Sequence, residues 1–316
     1  MSPSLCQTDS MVAAHPTTTK PERRALLWVA LGASLWGTDT ILRRPLTAGL
    51  TSAQIVLLEH LILSAALVIP LWRMRSQWLT LGGKEWAALL GIGWGGSALG
   101  TICFTEAIKI GNPTTAILLQ KTQPIFATLL AWLLLEEPLG RRFWICLLLA
   151  LCGAYVVNFG LSVPGGAIER KAALLALAAA AIWGCSTVLG RFVLARLSFF
   201  ALTCLRIVIA APLLIALNGT SALSVSLDPR EAISLLLMAL IPGLLALLIY
   251  YRGLMNARAS RAAIAELAFA ATATVLNWIF LGAHISAIQL AGFFLLWVAI
   301  LNLETKNERV GLPQSN

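Results

Sequence analysis

Charged residues are scarce in this sequence. Lys, Arg, Asp and Glu make up 12% of the 316 residues, and 59% of the residues are hydrophobic. A soluble domain carries about a quarter charged residues, and the mean hydropathy here is +0.83. So few charged residues cannot cover a surface that faces water. A chain this apolar also buries enough surface on folding to offset its conformational entropy, which excludes a disordered chain. The composition therefore predicts a surface that faces lipid.

Catalytic and metal-binding patterns are also missing. The three histidines are His15, His60 and His284, and the six cysteines form no CxxC pair and no Cys/His spacing typical of a metal site. The sequence has no Walker loop. A net charge of +9 suggests nucleic-acid binding in a soluble protein, but membrane proteins concentrate Lys and Arg in cytoplasmic loops. We expect no enzyme activity, cofactor, metal or nucleic-acid partner.

Long apolar runs are abundant instead. A helix needs about 20 apolar residues to cross the hydrocarbon core, and the run after Arg24 lacks the cleavage site of a signal peptide. The sequence predicts an all-α membrane protein with ten transmembrane helices near 25–43, 53–72, 86–107, 114–135, 142–160, 172–194, 199–217, 232–254, 262–281 and 287–303. Residues 1–24 and 305–316 are expected to be polar cytoplasmic tails.

Lys and Arg are distributed unevenly between the connections. A cytoplasmic N-terminus places fifteen of them inside: Lys20, Arg23, Arg24, Arg73, Arg75, Lys84, Arg141, Arg142, Arg191, Arg196, Arg252, Arg258, Arg261, Lys306 and Arg309. Six then lie outside: Arg43, Arg44, Lys109, Arg170, Lys171 and Arg230. The excess predicts that both termini are cytoplasmic.

The two halves of the sequence resemble each other. A shift of 147 residues places residues 35–40 (LWGTDT) on residues 182–187 (IWGCST), and a shift of 146 aligns Phe104 with Tyr250 and Ala127 with Ala273. Each half contains five predicted spans, and five is odd, so the second half must be inverted relative to the first. Inverted-topology repeats are typical of secondary transporters, whose substrate site lies near the midplane.

Several motifs resemble a known family. Trp36-Gly37 and Trp183-Gly184, the pattern Asn112-Pro113…Ala116…Pro124, and the sequence Leu135-Glu136-Glu137-Pro138-Leu139 are similar to the EamA repeats of the drug/metabolite transporter superfamily. The resemblance implies two EamA repeats, at 25–160 and 172–304, in a permease of the bacterial inner membrane. Such permeases often export amino acids or other small metabolites without ATP hydrolysis. Gly282-Ala283-His284 departs from the family's Gly-Glu turn.

Polar and ionisable residues inside predicted spans are candidates for the substrate and proton path, because they are costly in lipid and usually face a cavity or a partner. The candidates are Asp39, Glu59, His60, Gln120, Lys121, Gln123, Arg206 and Glu266. We expect an outer pair of Glu59 with Lys121, shared with Asp39 and His60, and an inner pair of Arg206 with Glu266. Glu59 is the candidate proton carrier, since burial disfavours the charged carboxylate. Alternatively, the pairs only hold helices together.

Three further residues are expected to shape the cavity. Trp36 and Tyr250 are candidate aromatic walls, although aromatic residues near span ends mostly anchor the membrane interface. Pro124 removes a backbone hydrogen bond from the fourth span and predicts a kink that could act as a gate or only as a packing feature. Ala270 matches it in the second half, which suggests that the two halves gate unequally.

The sequence thus predicts a secondary-active exporter of small metabolites, working by alternating access as a monomer or homodimer and coupled to protons. Alternatives are a facilitator or exchanger of sugars, nucleosides or organic cations, and a channel-like pore. A channel is the less favoured of these, because rings of like polar groups in an oligomer are typical of channels, whereas this chain contains an internal repeat. Substrate, direction and coupling ion stay open.

Overall fold

The computed structural model describes residues 20–111, 119–159, 170–219, 225–281 and 286–302. Within these ranges the chain is helical and contains no strand. The polar tails and the two sequence features at Asn112-Pro113…Ala116 and Gly282-Ala283-His284 lie outside the described residues or at their margins.

Twelve helices are labelled here in chain order. They are α1 (Lys20–Trp36), α2 (Asp39–Arg43), α3 (Ser52–Arg73), α4 (Gly83–Ile110), α5 (Gln123–Leu135), α6 (Arg141–Phe159), α7 (Arg170–Val193), α8 (Phe199–Asn218), α9 (Pro229–Leu254), α10 (Ala259–Ala265), α11 (Ala268–Leu281) and α12 (Ala287–Asn302). Short helical turns at Arg44–Thr47 and Arg75–Trp78 join some of them.

Six helical segments of the described chain are long and apolar enough to cross a membrane. They are Glu22–Thr47, which contains most of α1 and all of α2, and α3, α4, α7, α8 and α9. Helices α5 and α12 are apolar but shorter. Large apolar side chains cover the outside, as expected of a lipid-facing surface: Trp72, Leu133, Leu148 and Phe294 are each more than 60% exposed. The protein is a multi-pass membrane protein.

Two of the predicted spans are broken helices. The fourth is interrupted by a turn at Lys121 and Thr122, after which α5 begins at Gln123. Pro124 lies in the first turn of α5, where its missing N–H requires no partner. The interruption expected in the fourth span is thus a break between two helices just before Pro124, and its role in gating stays a prediction. The ninth predicted span is broken between α10 and α11, at Glu266.

The second half has a break at the equivalent place, so unequal gating of the two halves stays a prediction. Ala270, which matches Pro124, does not keep the ninth span continuous, because Glu266 and Leu267 end α10 in a turn. Phe269 N–H bonds the Glu266 carbonyl and Ala270 N–H bonds the Leu267 carbonyl, three residues back in each case. Both halves therefore have a break at the same place in the repeat.

A second pair of irregularities also repeats. α4 contains a π-helical stretch at Gly91–Gly100, and α9 contains one at Ala239–Leu245; the shift of 146 residues makes the two stretches overlap. π-helical turns are rare and occur frequently at functional sites. The Trp183 indole of α7 donates a hydrogen bond of 2.9 Å to the Gly96 carbonyl in the first stretch.

Each half packs its first long helix against the other half. α1 packs on α9 and α11, and α7 packs on α4 and α5. A Cβ added to Gly37, just after α1, would lie 2.9 Å from the Ala273 nitrogen of α11; one added to Gly184 of α7 would lie 2.9 Å from the Ala127 nitrogen of α5. The two glycines occupy equivalent positions, so the same backbone approach is made twice. These contacts bring the broken helices against the centre of the protein.

Candidate substrate-binding cavity

A cavity of about 220 Å³ lies where the two broken helices meet. All the residues selected from the sequence line it: Trp36, Asp39, Glu59, His60, Gln120, Lys121, Gln123, Pro124, Arg206, Tyr250 and Glu266. The structure therefore brings these residues together, although their partners differ from the expected ones. Their roles in transport stay predictions.

An arginine between two carboxylates forms one side of the cavity. Arg43 donates two hydrogen bonds of 2.7 Å to Asp39, and its Nη2 lies 3.6 Å from Glu59 Oε2. Only 7% of Arg43 is exposed. The expected pair of Glu59 with Lys121 is therefore wrong, because the cation that lies beside Glu59 is Arg43.

Sequence reasoning placed Arg43 among the external loop cations and so missed it as a cavity residue. Its spacing of four residues from Asp39 is the signal that could have identified it, since residues i and i+4 face each other on a helix. His60, beside Glu59, contacts its own helix: Nδ1 lies 2.8 Å from the Val56 carbonyl.

Lys121 lies at the break before α5 and is 4% exposed. Its Nζ is 3.1 Å from the centroid of the Phe269 ring, at the start of α11. Among the described residues it has no hydrogen-bond partner. The interaction is a cation–π contact that joins the break in the first half to the break in the second.

Glu266, at the other break, accepts three hydrogen bonds from neutral groups. The donors are Gln123 Nε2 at 2.5 Å, Tyr250 OH at 2.7 Å and Thr187 Oγ1 at 2.9 Å. Gln120 Nε2 in turn donates to Gln123 Oε1 at 2.9 Å. A polar chain thus runs from Gln120 through Gln123 to Glu266, along the contact between the two breaks.

Arg206 does not form the expected pair with Glu266. It donates hydrogen bonds to Ser97 Oγ at 2.6 Å and to Tyr251 OH at 2.7 Å. Two consecutive tyrosines of α9 separate the charges, because Tyr251 binds Arg206 while Tyr250 binds Glu266. Ser97 and Thr187 were not among the predicted site residues, since neutral hydroxyl groups within apolar helices give little signal in the sequence.

Two aromatic pairs form further parts of the cavity wall. The rings of Trp36 and Tyr250 are 5.0 Å apart at an angle of 47°, and those of Phe104 and Trp183 are 5.2 Å apart at 56°. The repeat alignment makes Trp36 equivalent to Trp183 and Tyr250 equivalent to Phe104. Each pair joins one half of the protein to the other. The cavity therefore combines aromatic faces with three cationic and three acidic side chains, a lining that suits a small polar ligand with a ring.

Two findings from known proteins bear on this cavity. The model of the EamA-like transporter family matches residues 23–159 and again residues 170–303. A crystal structure described only as "Crystal structure of protein" has the same fold, with a TM-score of 0.73 and 19% sequence identity over 88% of this chain and 96% of that chain.

Two curated relatives are named as transporters. "Riboflavin transporter ImpX" of Fusobacterium nucleatum subsp. nucleatum is 29% identical over 294 residues, which cover 90% of this chain and 98% of the relative. "Uncharacterized transporter YwfM" of Bacillus subtilis is 25% identical over 283 residues, covering 87% of this chain and 92% of the relative.

Proposed function

The chain belongs to the EamA-like transporter family, and from that premise we propose that it is a secondary transporter that moves a small metabolite by alternating access. In this proposal its ten spans form two inverted-topology repeats, at 25–160 and 172–304, in the bacterial inner membrane with both termini cytoplasmic. The duplicated family match, the duplicated helix breaks and the duplicated glycine contacts support the two-repeat arrangement.

One observation carries the proposal: the cavity lies between two broken helices that contact each other through Gln123 and Glu266. Broken helices that meet at a site near the midplane are a common way for transporters with inverted repeats to bind substrate. Irregular backbone is tolerated at such depth only where it lines a cavity or is buried in protein.

The contacts around the cavity define what must change when it opens. Gln123–Glu266, Lys121–Phe269, Ser97–Arg206 and both aromatic pairs each join the first repeat to the second. As the repeats rock against each other, some of these contacts break on one side of the substrate and others form on the opposite side. A substrate that replaces broken contacts lowers the barrier to this exchange.

The charges of the cavity favour an amino acid or a similar zwitterionic metabolite. Riboflavin is the second candidate, since it is the substrate named for a relative that matches over 98% of its own length, and the aromatic pairs provide faces for a ring. We propose export as the direction and Glu59 as the proton carrier. Glu59 is 7% exposed, and its nearest cation, Arg43, is shared with Asp39.

Counterflow in proteoliposomes tests the proposal. Vesicles loaded with unlabelled L-tryptophan or riboflavin should accumulate the labelled form of the same compound transiently, at a rate that saturates with concentration. Vesicles without protein are the control. A flux that rises linearly with concentration and shows no counterflow would favour the channel-like alternative and contradict alternating access.

A further inference from the structure

Lys121 is a buried ammonium group without a partner of opposite charge. Its side chain lines the cavity, 4% of the residue is exposed, and the face of Phe269 is its cation–π contact. Within the described part of the chain, Nζ has no hydrogen-bond partner and forms no salt bridge.

The two arginines of the cavity each donate hydrogen bonds to groups of the protein, whereas, in the described ranges, Glu59 has only an ion pair of 3.6 Å with Arg43 and no hydrogen-bond partner for Oε2. Arg43 binds Asp39 and lies near Glu59, Arg206 binds Ser97 and Tyr251, and Glu266 accepts three hydrogen bonds. A charge that is taken out of water is unfavourable unless an opposite charge and hydrogen bonds compensate for it. Among the described residues, Lys121 is thus the cation of the cavity that has neither an opposite charge nor a hydrogen-bond acceptor.

The backbone around Lys121 also favours an anion. The 13-residue helix α5 begins two residues later, and the 14-residue helix α11 begins beside Phe269, the ring that Lys121 contacts. The N-terminus of a helix carries a partial positive charge, and the N-termini of broken helices bind anionic substrate groups in other transporters. Lysine and both helix ends therefore contribute the same sign of potential.

An unused acceptor lies next to Lys121 along the chain. Gln120 donates through Nε2 to Gln123, whereas its Oε1 has no partner among the described residues. The ligand that completes this part of the cavity therefore accepts from Lys121 and donates to Gln120. A carboxylate or phosphate group beside an N–H or O–H meets both requirements.

We propose that Lys121 binds the anionic group of the substrate, which is a small metabolite bearing a carboxylate or phosphate next to a ring that contacts the aromatic pairs of the cavity. The proposal rests on the proposed function and narrows its substrate class. It places the anion at the break before α5, beside Gln120.

Matched ligands that differ only in the anionic group test it. Isothermal titration of the purified full-length protein with indole-3-acetate and indole-3-acetamide tests a carboxylate, and titration with flavin mononucleotide and riboflavin tests a phosphate. We expect the anionic member of at least one pair to bind at least tenfold more tightly than its neutral partner. Which pair shows the preference distinguishes the two anions.

Variants connect that preference with Lys121. K121Q and K121M should each remove the preference, and K121R should restore most of it. K109Q is the matched control, because Lys109 donates to the Leu50 carbonyl at 3.0 Å and does not line the cavity; it should bind as the parent protein does. The elution volume and the unfolding temperature of each variant are compared with those of the parent protein. A folding defect in K121Q or K121M is thereby recognised.

Three results would overturn the proposal: equal binding within both pairs, absence of binding by both anions, or an anion preference that survives K121Q and K121M. Failure of the proposed function gives a different pattern. Counterflow of indole-3-acetate or flavin mononucleotide that K121Q leaves unchanged would reject the role of Lys121 and keep the transporter. Lysine-dependent anion binding without counterflow of that anion would keep the site and reject transport.

Discussion

Gln123 donates a hydrogen bond of 2.5 Å to Glu266, and this bond joins the breaks of two helices that lie 143 residues apart in sequence. Gln123 also accepts from Gln120, so its amide lies in the middle of a chain of polar groups. Buried polar groups that lose a partner destabilise a protein more than an average hydrogen bond stabilises it. The amide of Gln123 should therefore be sensitive to substitution.

We expect Q123L to lower the free energy of unfolding by about 1–3 kcal/mol, because it leaves the Gln120 amide and one Glu266 oxygen without a partner. E266Q should cost less than about 1 kcal/mol. Its amide can donate to Gln123 if the Gln123 and Gln120 amides both turn over, so that Gln123 Nε2 donates to Gln120 Oε1, which has no partner in the parent protein. Unfolding of both variants in detergent measures the difference. Equal losses of stability in Q123L and E266Q would contradict the idea that the hydrogen bonds between residues 120, 123 and 266 can reverse their direction.

E59Q tests the proposed proton carrier. The substitution keeps the size of the side chain and leaves the two hydrogen bonds between Arg43 and Asp39 in place. We expect normal protein levels, with transport abolished or made independent of pH, because the amide cannot release a proton. Initial rates of counterflow and of pH-driven uptake across a range of pH values measure this.

E106Q is the control for E59Q. Glu106 accepts a hydrogen bond of 2.9 Å from Ser52 and does not line the cavity, so its replacement should leave the pH profile of transport unaltered. Transport by E59Q at the parent rate at every pH would reject Glu59 as the proton carrier.

G184A should disturb the contact between α7 and α5. The added Cβ would lie 2.9 Å from both the Ala127 nitrogen and the Gln123 carbonyl oxygen, and backbone atoms cannot turn away as a side chain can. We expect a loss of stability of about 1–3 kcal/mol, as in other overpacked sites, and a weaker substrate affinity because Gln123 is displaced. Thermal unfolding and titration measure the two effects.

G83A is the matched control for G184A, since a Cβ at Gly83 has no atom within 4 Å. It should leave stability and affinity close to those of the parent. G37A, at the repeat-equivalent position in the first half, should behave like G184A, because its Cβ would meet the Ala273 nitrogen at 2.9 Å. A harmless G184A would show that α7 and α5 can separate without cost.

The sequence predicted which side chains share the cavity better than it predicted their partners. The prediction of cavity residues succeeded because few polar side chains occur in the apolar runs. Such side chains are costly in lipid and therefore face the interior of the protein. The pairings failed because partner choice depends on atomic distances. Arg43, near the predicted end of a span, lies within 3.6 Å of Glu59, and two tyrosine hydroxyls separate Arg206 from Glu266.

The helix breaks show a similar limit. Pro124 marks the break in the first half, yet the corresponding break in the second half has Ala270 at that place. Glu266 accepts hydrogen bonds there from groups on three other helices, α5, α7 and α9. These contacts depend on how distant helices pack, so the local sequence does not predict them. The family resemblance, which depends on motifs spread over both repeats, was confirmed.

Glu137 caps a helix of the opposite repeat, and its removal is the last test. The side chain is 7% exposed and accepts hydrogen bonds from the Ala259 and Ser260 N–H groups, at 2.7 and 3.0 Å, and from the Ser260 hydroxyl. Those N–H groups open α10, whose last residue, Ala265, is followed directly by Glu266. A carboxylate at a helix N-terminus satisfies free N–H groups and interacts favourably with the helix dipole.

E137A should therefore lower the free energy of unfolding by about 1–3 kcal/mol, since it leaves buried N–H groups without acceptors, and E137Q by less, because the amide retains one acceptor. E136A is the matched control: Glu136 is exposed and adjacent in sequence, in the left-handed conformation (φ 50°) that ends α5. Thermal unfolding in detergent compares the three variants. Equal losses of stability in E136A and E137A would contradict the capping role of Glu137. If E137A alone is destabilised and also binds substrate less tightly, the cap on α10 helps to hold Glu266 in the cavity.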